Sequence, residues 1–400
     1  MEIGIRGQPF AEIEHYLRIG TMSDNRLLDI EQYGQSIWMD NLSRDLIESG
    51  QLQKAIEERG LLGITSNPAI FEKAIAGNQV YDTDIEAGAK AGKSVQEIYE
   101  SLVFKDIRDA CDAFRPIYDR TGGMDGYVSI ELPPDLARDT ENSIEEAKRY
   151  FRDIGRDNVM IKIPGTPEGL AAVEEVIAAG INVNITLLFS VQSYVETAWA
   201  YIRGLEKRAA NGEDISKIAS VASFFISRID AKVDKKLDAA IEQTNDEQQK
   251  EELRQYKGKV AIANAKIAYQ KYKEIVQSDR WKALAEKGAN IQRLLWASTS
   301  TKNPEYSDVM YVDELIGANT INTLPPKTIE ACFDHCTVSG DPIERDLETA
   351  QQIMQRLPEL GIDLDKVMEE LLQEGIDKFV EPYQSLMQSL EEKVNKLTPA

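Results

Sequence analysis

Apolar and β-branched residues gather along the chain in eight short runs, most of them ending in or near a polar side chain. They are SIWMD (36–40), LGITSN (62–67), YVSIE (127–131), VMIKI (159–163), INVNITLL (181–188), IASVASFF (218–225), RLLWAS (293–298) and GANTIN (317–322). Between them lie segments with helical spacing, such as NSIEEAKRYFRDIG (142–155) and TPEGLAAVEEVIAAG (166–180). In the second, Leu170, Val173 and Ile177 recur at intervals of three and four, so one face of a helix is apolar. Short apolar runs alternating with amphipathic helices read as βα units around a parallel sheet. Eight such units predict an α/β chain folded as a single (β/α)8 TIM barrel with extra helices. A doubly wound sheet is the alternative that the same rhythm permits.

The expected barrel occupies residues 22–400, and 1–21 reads as an N-terminal extension whose order the sequence leaves open. Two stretches exceed a minimal barrel. One, at about 68–126, is helix-rich. The other, at about 229–292, holds IDAKVDKKLDAAIEQ and KGKVAIANAKIAYQKYKEIV, predicted as two long amphipathic helices joined by the charged turn TNDEQQKEE. A solvated helical hairpin packed on the barrel is favoured there over a coiled-coil partner surface. A further helical segment closes the chain.

Charge narrows the function. A net charge of −22 argues against nucleic acid and against an anionic membrane as partner, because both need a basic face. It leaves room for a small phosphorylated substrate in a local basic pocket. No stretch of about twenty apolar residues predicts a membrane span. The first residues lack a signal peptide's apolar core and read as an extension before a natural start at Met22. Three cysteines, Cys111, Cys332 and Cys336, suit a reducing compartment, so a cytoplasmic enzyme is expected. Cys332, His335 and Cys336 cluster in ACFDHC but lack an evident fourth ligand, so they read as free thiols and no metal site is expected.

In a barrel, side chains at the C-terminal ends of the strands converge on the active site. Those ends carry Asp40, Asn67, Glu131, Lys162, Asn184 with Thr186, Ser223 and Ser298. Lys162 stands out, because a lysine inside an apolar strand costs desolvation unless it is paired or neutral. A neutral amine attacks a ketone to give an iminium, which then serves as an electron sink for C–C cleavage. Composition alone favours a lysine snorkelling at a strand end; its place beside Pro-Gly-Thr at a strand-to-helix junction narrows that gap. Glu131 and Asp40 can divide acid and base work between them. Asn67, Asn184 and Thr186 suit a hydroxylated substrate, and Asn67 before Pro68 also suits a helix cap. Arg228 and Lys302 follow late strands, where phosphate is often held. No glycine-rich nucleotide fingerprint is present.

Taken together, these segments resemble the transaldolase family, in its longer bacterial-type branch. GITSNPAIFEKAI is similar to the family's first signature. VMIKIPGTPEGLAAVEEVIAAGINVNITLLFS is similar to its active-site lysine segment, and SVASFFISRID, LLWASTSTKNPEYSDVMYVDELIGANTINTLPPKTIEA and GYVSIELPPDLARDT fit as well. The resemblance runs from about residue 30 to 385. It implies a Schiff-base lysine on the fourth strand of a (β/α)8 barrel. It implies transfer of a dihydroxyacetone unit from sedoheptulose 7-phosphate to glyceraldehyde 3-phosphate in the non-oxidative pentose phosphate pathway. Sugar phosphates are then the partners, no metal or organic cofactor is required, and the chain acts as monomer or homodimer.

Carried over by motif, Lys162 is the nucleophile, Glu131 acts with a water in imine formation, and Asp40 is the acid/base of C–C cleavage. Asn67, Asn184 and Thr186 bind substrate, Ser223 and Arg228 match S-x-F-x-x-R, and Ser298 matches the serine of the seventh strand. Many members have arginine shortly after that serine, in A-S-F-R; here the segment is ASTSTK, and Lys302 is the cation that stands nearby. Ser66 stands where threonine is frequent. Phe225 stands where the related fructose 6-phosphate aldolase has a tyrosine that helps to release free dihydroxyacetone, which favours transferase over lyase. A lyase of that kind, or a sugar-phosphate-binding barrel without catalysis, remains the alternative.

Overall fold

The computed structural model describes residues 25–397, so the extension expected over 1–21 lies outside the described residues. Eight strands form the centre: β1 (Gln35–Asp40), β2 (Gly63–Thr65), β3 (Val128–Glu131), β4 (Val159–Pro164), β5 (Val183–Leu188), β6 (Ser220–Phe225), β7 (Arg293–Ala297) and β8 (Thr320–Leu324). Each pairs in parallel with the next, and β8 pairs with β1, closing the barrel in chain order. The strands are buried on both faces, which is why they read as continuous apolar runs instead of alternating ones.

One end of the barrel is filled and sealed. Gly63 lies opposite Trp38 in the β1–β2 register, and a Cβ at Gly63 would sit 2.5 Å from the indole. The missing side chain is what admits the fully buried Trp38 ring. Trp38 Nε1 donates to Asp125 at 2.9 Å, and Ser36 Oγ donates to the same carboxylate at 2.8 Å. Arg293, the first residue of β7, reaches Asp125 at 3.2 Å and donates to Ser36 Oγ at 2.6 Å and to the Thr320 carbonyl at 2.8 Å. A buried ion pair is tolerable only when such hydrogen bonds satisfy it. This polar plug joins the N-terminal ends of β1, β7 and β8, leaving the C-terminal mouth for a site.

The long connection after β2 carries the helices Pro68–Ile75, Asp82–Lys90 and Val95–Arg120. The one after β6 carries Ser227–Gln243, Glu247–Tyr256, Val260–Val276 and Asp279–Ala285. The charged segment TNDEQQKEE is mostly helix instead of turn. Asp246 accepts from the backbone N–H groups of Gln248 and Gln249, capping a helix that a charge-rich sequence conceals. The eighth strand also lies later than the run 317–322 predicts: Asn319 takes φ 57°, ending a turn, and the strand proper begins at Thr320. The final helix, Leu364–Leu397, packs against β5 and the helices of the first long connection, and brings Ile376 and Phe379 to the mouth.

Candidate active site

A cavity of about 370 Å³ opens at the C-terminal mouth. It is lined by Asp40, Asn67, Lys162, Thr186, Ser223, Arg228, Ser298 and Lys302, anticipated from strand ends and following loops, and by Phe225, singled out by the family resemblance. It is also lined by residues that strand-end reading missed, among them Thr65, Lys73, Ser300, Thr323 and Phe379. Among the described residues, Lys73, Lys162, Arg228 and Lys302 face it against a single lining carboxylate, Asp40. A chain of net charge −22 therefore holds a locally cationic cavity, as an anionic ligand requires.

Lys162 projects from β4 between β3 and β5, opposite Glu131 on one side and Asn184 on the other. Its Nζ lies 2.7 Å from Glu131 Oε1, with both side chains 7% exposed, and donates to the Ser66 carbonyl at 3.0 Å. Burial raises the Glu131 carboxyl above its usual range; the neighbouring Lys162 opposes that rise and Asp40 adds to it. Glu131 does not line the main cavity. It faces a small adjoining space of about 10 Å³, shared with Lys162, Leu187, Ile376 and Phe379.

Asp40 ends β1 and accepts from Thr65 Oγ1 at 2.8 Å; Thr65 in turn shares a 2.7 Å hydrogen bond with Thr323. Burial raises the Asp40 carboxyl too, opposed by Lys162, by the Thr65 hydroxyl and by Arg228 and Lys302. Two carboxylates thus stand near one lysine in different surroundings: Glu131 in direct contact, Asp40 in the lining of the shared cavity.

Asn184 is fully buried beneath the cavity, not in its lining. It donates to Ser129 Oγ at 3.0 Å and accepts from Ser223 Oγ at 2.6 Å, so it orients Ser223. Thr186 and Leu187 both reach the mouth, although neighbours on a strand point to opposite faces. A bulge in β5 between Ile185 and Leu188, with Leu187 at φ 60°, breaks the alternation. Thr186 Oγ1 is buried and has no hydrogen-bond partner among the described residues.

Asn67 caps the helix Pro68–Ile75 by accepting from Ile70 N–H at 3.0 Å. Its oxygen is committed, leaving the amide donors for the cavity. Arg228, in the first turn of its helix, lies 5.1 Å over the Phe225 ring, and its buried Nη1 has no hydrogen-bond partner among the described residues. Desolvation lowers its affinity for the proton, opposed by Glu131 and Asp40. Ser298, at φ 56°, shares a 3.1 Å hydrogen bond with Ser227. Lys302 donates to Ser300 Oγ at 2.9 Å; desolvation and the charges of Arg228 and Lys378 lower its proton affinity.

Elsewhere, Cys332 and Cys336 are buried free thiols, and His335 is exposed between Asp308 at 2.8 Å and Asp334 at 3.0 Å. No cluster able to hold a metal occurs among the described residues.

Fold and cavity together define a (β/α)8 barrel with a buried lysine at a cationic C-terminal mouth. The sequence profile described as Transaldolase/Fructose-6-phosphate aldolase matches residues 37–390. A transaldolase of Trichodesmium erythraeum is 67% identical over 380 residues, covering 94% of this chain and all of that protein. Transaldolase 2 of Nostoc punctiforme is 64% identical over 381 residues with the same coverage. A transaldolase of Saccharopolyspora erythraea is 45% identical over 374 residues, 94% of this chain and 99% of that protein. The chain belongs to the transaldolase/fructose 6-phosphate aldolase family.

Proposed function

We propose that this chain is a transaldolase, passing a dihydroxyacetone unit from sedoheptulose 7-phosphate to glyceraldehyde 3-phosphate through a Schiff base on Lys162. The observation that carries the reading is the 2.7 Å contact between Lys162 and Glu131 at the edge of a cationic cavity. A proton passed from Lys162 to Glu131 replaces two buried charges by two neutral groups, and Glu131 is made receptive by its own desolvation. The free amine attacks C2 of the ketose. The carbinolamine loses water, with Glu131 returning a proton to the departing oxygen. The space of about 10 Å³ beside Glu131 is of the order one water needs, which suits a relay.

Asp40 then takes the proton of the C4 hydroxyl. The C3–C4 bond breaks, its electron pair moves into the iminium to give the enamine, and erythrose 4-phosphate leaves as the aldehyde. Glyceraldehyde 3-phosphate enters, enamine C3 attacks its carbonyl carbon, and Asp40 returns the proton to the new oxygen. Hydrolysis of the iminium frees fructose 6-phosphate and restores Lys162. Asn67, Thr186 and Ser223, the last oriented by Asn184, hold the hydroxyls; Arg228, Ser298 and Lys302 hold the phosphate. The unpartnered Arg228 Nη1 supports that assignment. Lys302 supplies a point charge where many relatives place an arginine fork.

Phe225 selects transfer over release. Its ring packs 5.3 Å from Phe189 and carries no hydroxyl to protonate the enamine, so the unit waits for an aldehyde. A coupled assay tests the function: product should form only with both ketose donor and aldehyde acceptor. Free dihydroxyacetone at a comparable rate without acceptor would make the enzyme a lyase instead. We place the enzyme in the cytoplasm, as monomer or homodimer; the free buried thiols support a reducing compartment. No helix among the described residues is long and apolar enough to cross a membrane.

A further inference from the structure

The segment that carries Ser298, Ser300 and Lys302 has no regular secondary structure between β7 and the short helix Met310–Glu314. Such a segment holds a cation at a fixed place only if something ties it down. Tyr306 Oη donates to Asp234 Oδ2 at 2.6 Å, and just beyond the segment Tyr311 Oη donates to Asp230 Oδ2 at 2.8 Å. Both carboxylates lie on the helix Ser227–Gln243, whose first turn carries Arg228. Their second oxygens accept backbone N–H groups of the helical insertion: Gly258 to Asp234 at 3.0 Å and Ala261 to Asp230 at 2.8 Å. Gly258 has φ +71°, and a Cβ there would come 2.8 Å from the Tyr306 ring. The insertion, the Arg228 helix and the Lys302 segment are thus clamped at two neighbouring carboxylates.

The clamp opposes a definite force. Arg228 and Lys378 carry the same charge as Lys302 and repel it, and among the described residues the side-chain hydrogen bond that Lys302 makes is local, to Ser300. We propose that Tyr306 and Asp234 are positioning residues that fix the separation of Lys302 from Arg228, and so set the enzyme's preference for phosphorylated over unphosphorylated sugars. The proposal rests on the reading of Lys302 and Arg228 as the phosphate pair.

The test is steady-state kinetics with fructose 6-phosphate as donor and either erythrose 4-phosphate or erythrose as acceptor. Tyr306→Phe keeps the ring against Gly258 and removes the tie. It should raise KM for both phosphorylated sugars by about three- to tenfold, the worth of one hydrogen bond, with kcat and KM for erythrose within about twofold. Asp234→Asn keeps an acceptor for Gly258 N–H and a donor for the Tyr306 oxygen, so it should resemble the parent, whereas Asp234→Ala should resemble Tyr306→Phe. Because Tyr306 acts through Lys302, adding Tyr306→Phe to Lys302→Ala should change KM no further. If Lys302→Ala raises KM and Tyr306→Phe does not, the positioning role is overturned while the phosphate reading stands. If Lys302→Ala leaves KM for phosphorylated sugars unchanged, the phosphate reading falls and the inference with it. A uniform loss of kcat for all substrates, together with a lowered Tm, would mean that the tie merely supports the fold.

Discussion

Lys162 and Glu131 face each other across the β3–β4 register, with Nζ and Oε1 2.7 Å apart and both side chains almost wholly removed from solvent. Neighbouring parallel strands set this contact, so it does not depend on a mobile loop. In the proposed mechanism this puts the nucleophile and its proton acceptor in one preformed unit.

Glu131→Gln removes the acceptor and keeps the shape. Positioned acid–base catalysis is worth about a hundred- to ten-thousandfold, and kcat should fall within that range. The step lost is imine formation, so single-turnover trapping with borohydride should slow by a similar factor. Trapping at the parent rate with a slow turnover would assign Glu131 to a later step.

Asp40→Asn should behave in the opposite way. Asp40 accepts from Thr65 at 2.8 Å and lines the cavity with Lys162, whereas Glu131 does not line it. Schiff-base trapping should stay within a few-fold of the parent, about the weight of one hydrogen bond, while cleavage slows by about a hundredfold or more. Equal loss of both steps would undo the division of roles between the carboxylates.

Phe225→Tyr places a hydroxyl in the cavity. Release of free dihydroxyacetone from fructose 6-phosphate without acceptor should rise, and the transfer rate should fall. Quantifying dihydroxyacetone with a reducing coupling enzyme checks this. An unchanged ratio of release to transfer would remove Phe225 from the choice.

Asp230 makes a prediction about stability. Burial pushes its carboxyl from an ordinary 3.8 up to about 7, with the nearby Asp234 adding to the rise and hydrogen bonds from Ala261 and Tyr311 opposing it. The folded state therefore holds this proton across a window in which the unfolded chain has released it. A carboxyl raised on folding contributes stability below its unfolded value and loses it as pH rises through the folded value. Asp230→Asn imitates the protonated form, so Tm of the parent should fall relative to the variant between pH 4 and pH 7. Parallel Tm curves over that range would show that Asp230 is ionised throughout.

Much of the site was legible because strand ends in a barrel share one face. Lys162, Asp40, Thr186 and Ser223 followed from locating runs whose edges are sharp. Thr323 escapes the local pattern because the strand begins and ends later than the run GANTIN suggests, and nothing local reveals that Asn319 turns left-handed. Phe379 and Lys73 could not be read from local pattern at all. Both sit on helices that tertiary packing carries to the mouth, and helical spacing reports which face is apolar, not which strand end that face covers. Asn184 lies on its expected strand but sits one layer down, because Ser129 and Ser223 take up its amide.

The central claim is the covalent role of Lys162, and the most direct measurement is borohydride reduction in the presence of fructose 6-phosphate followed by peptide mass mapping. The account predicts a single reduced dihydroxyacetone or hexose phosphate adduct on Lys162, absent from Lys162→Ala. An adduct on Lys73 or Lys302, which line the same cavity, or turnover without any adduct, would contradict it.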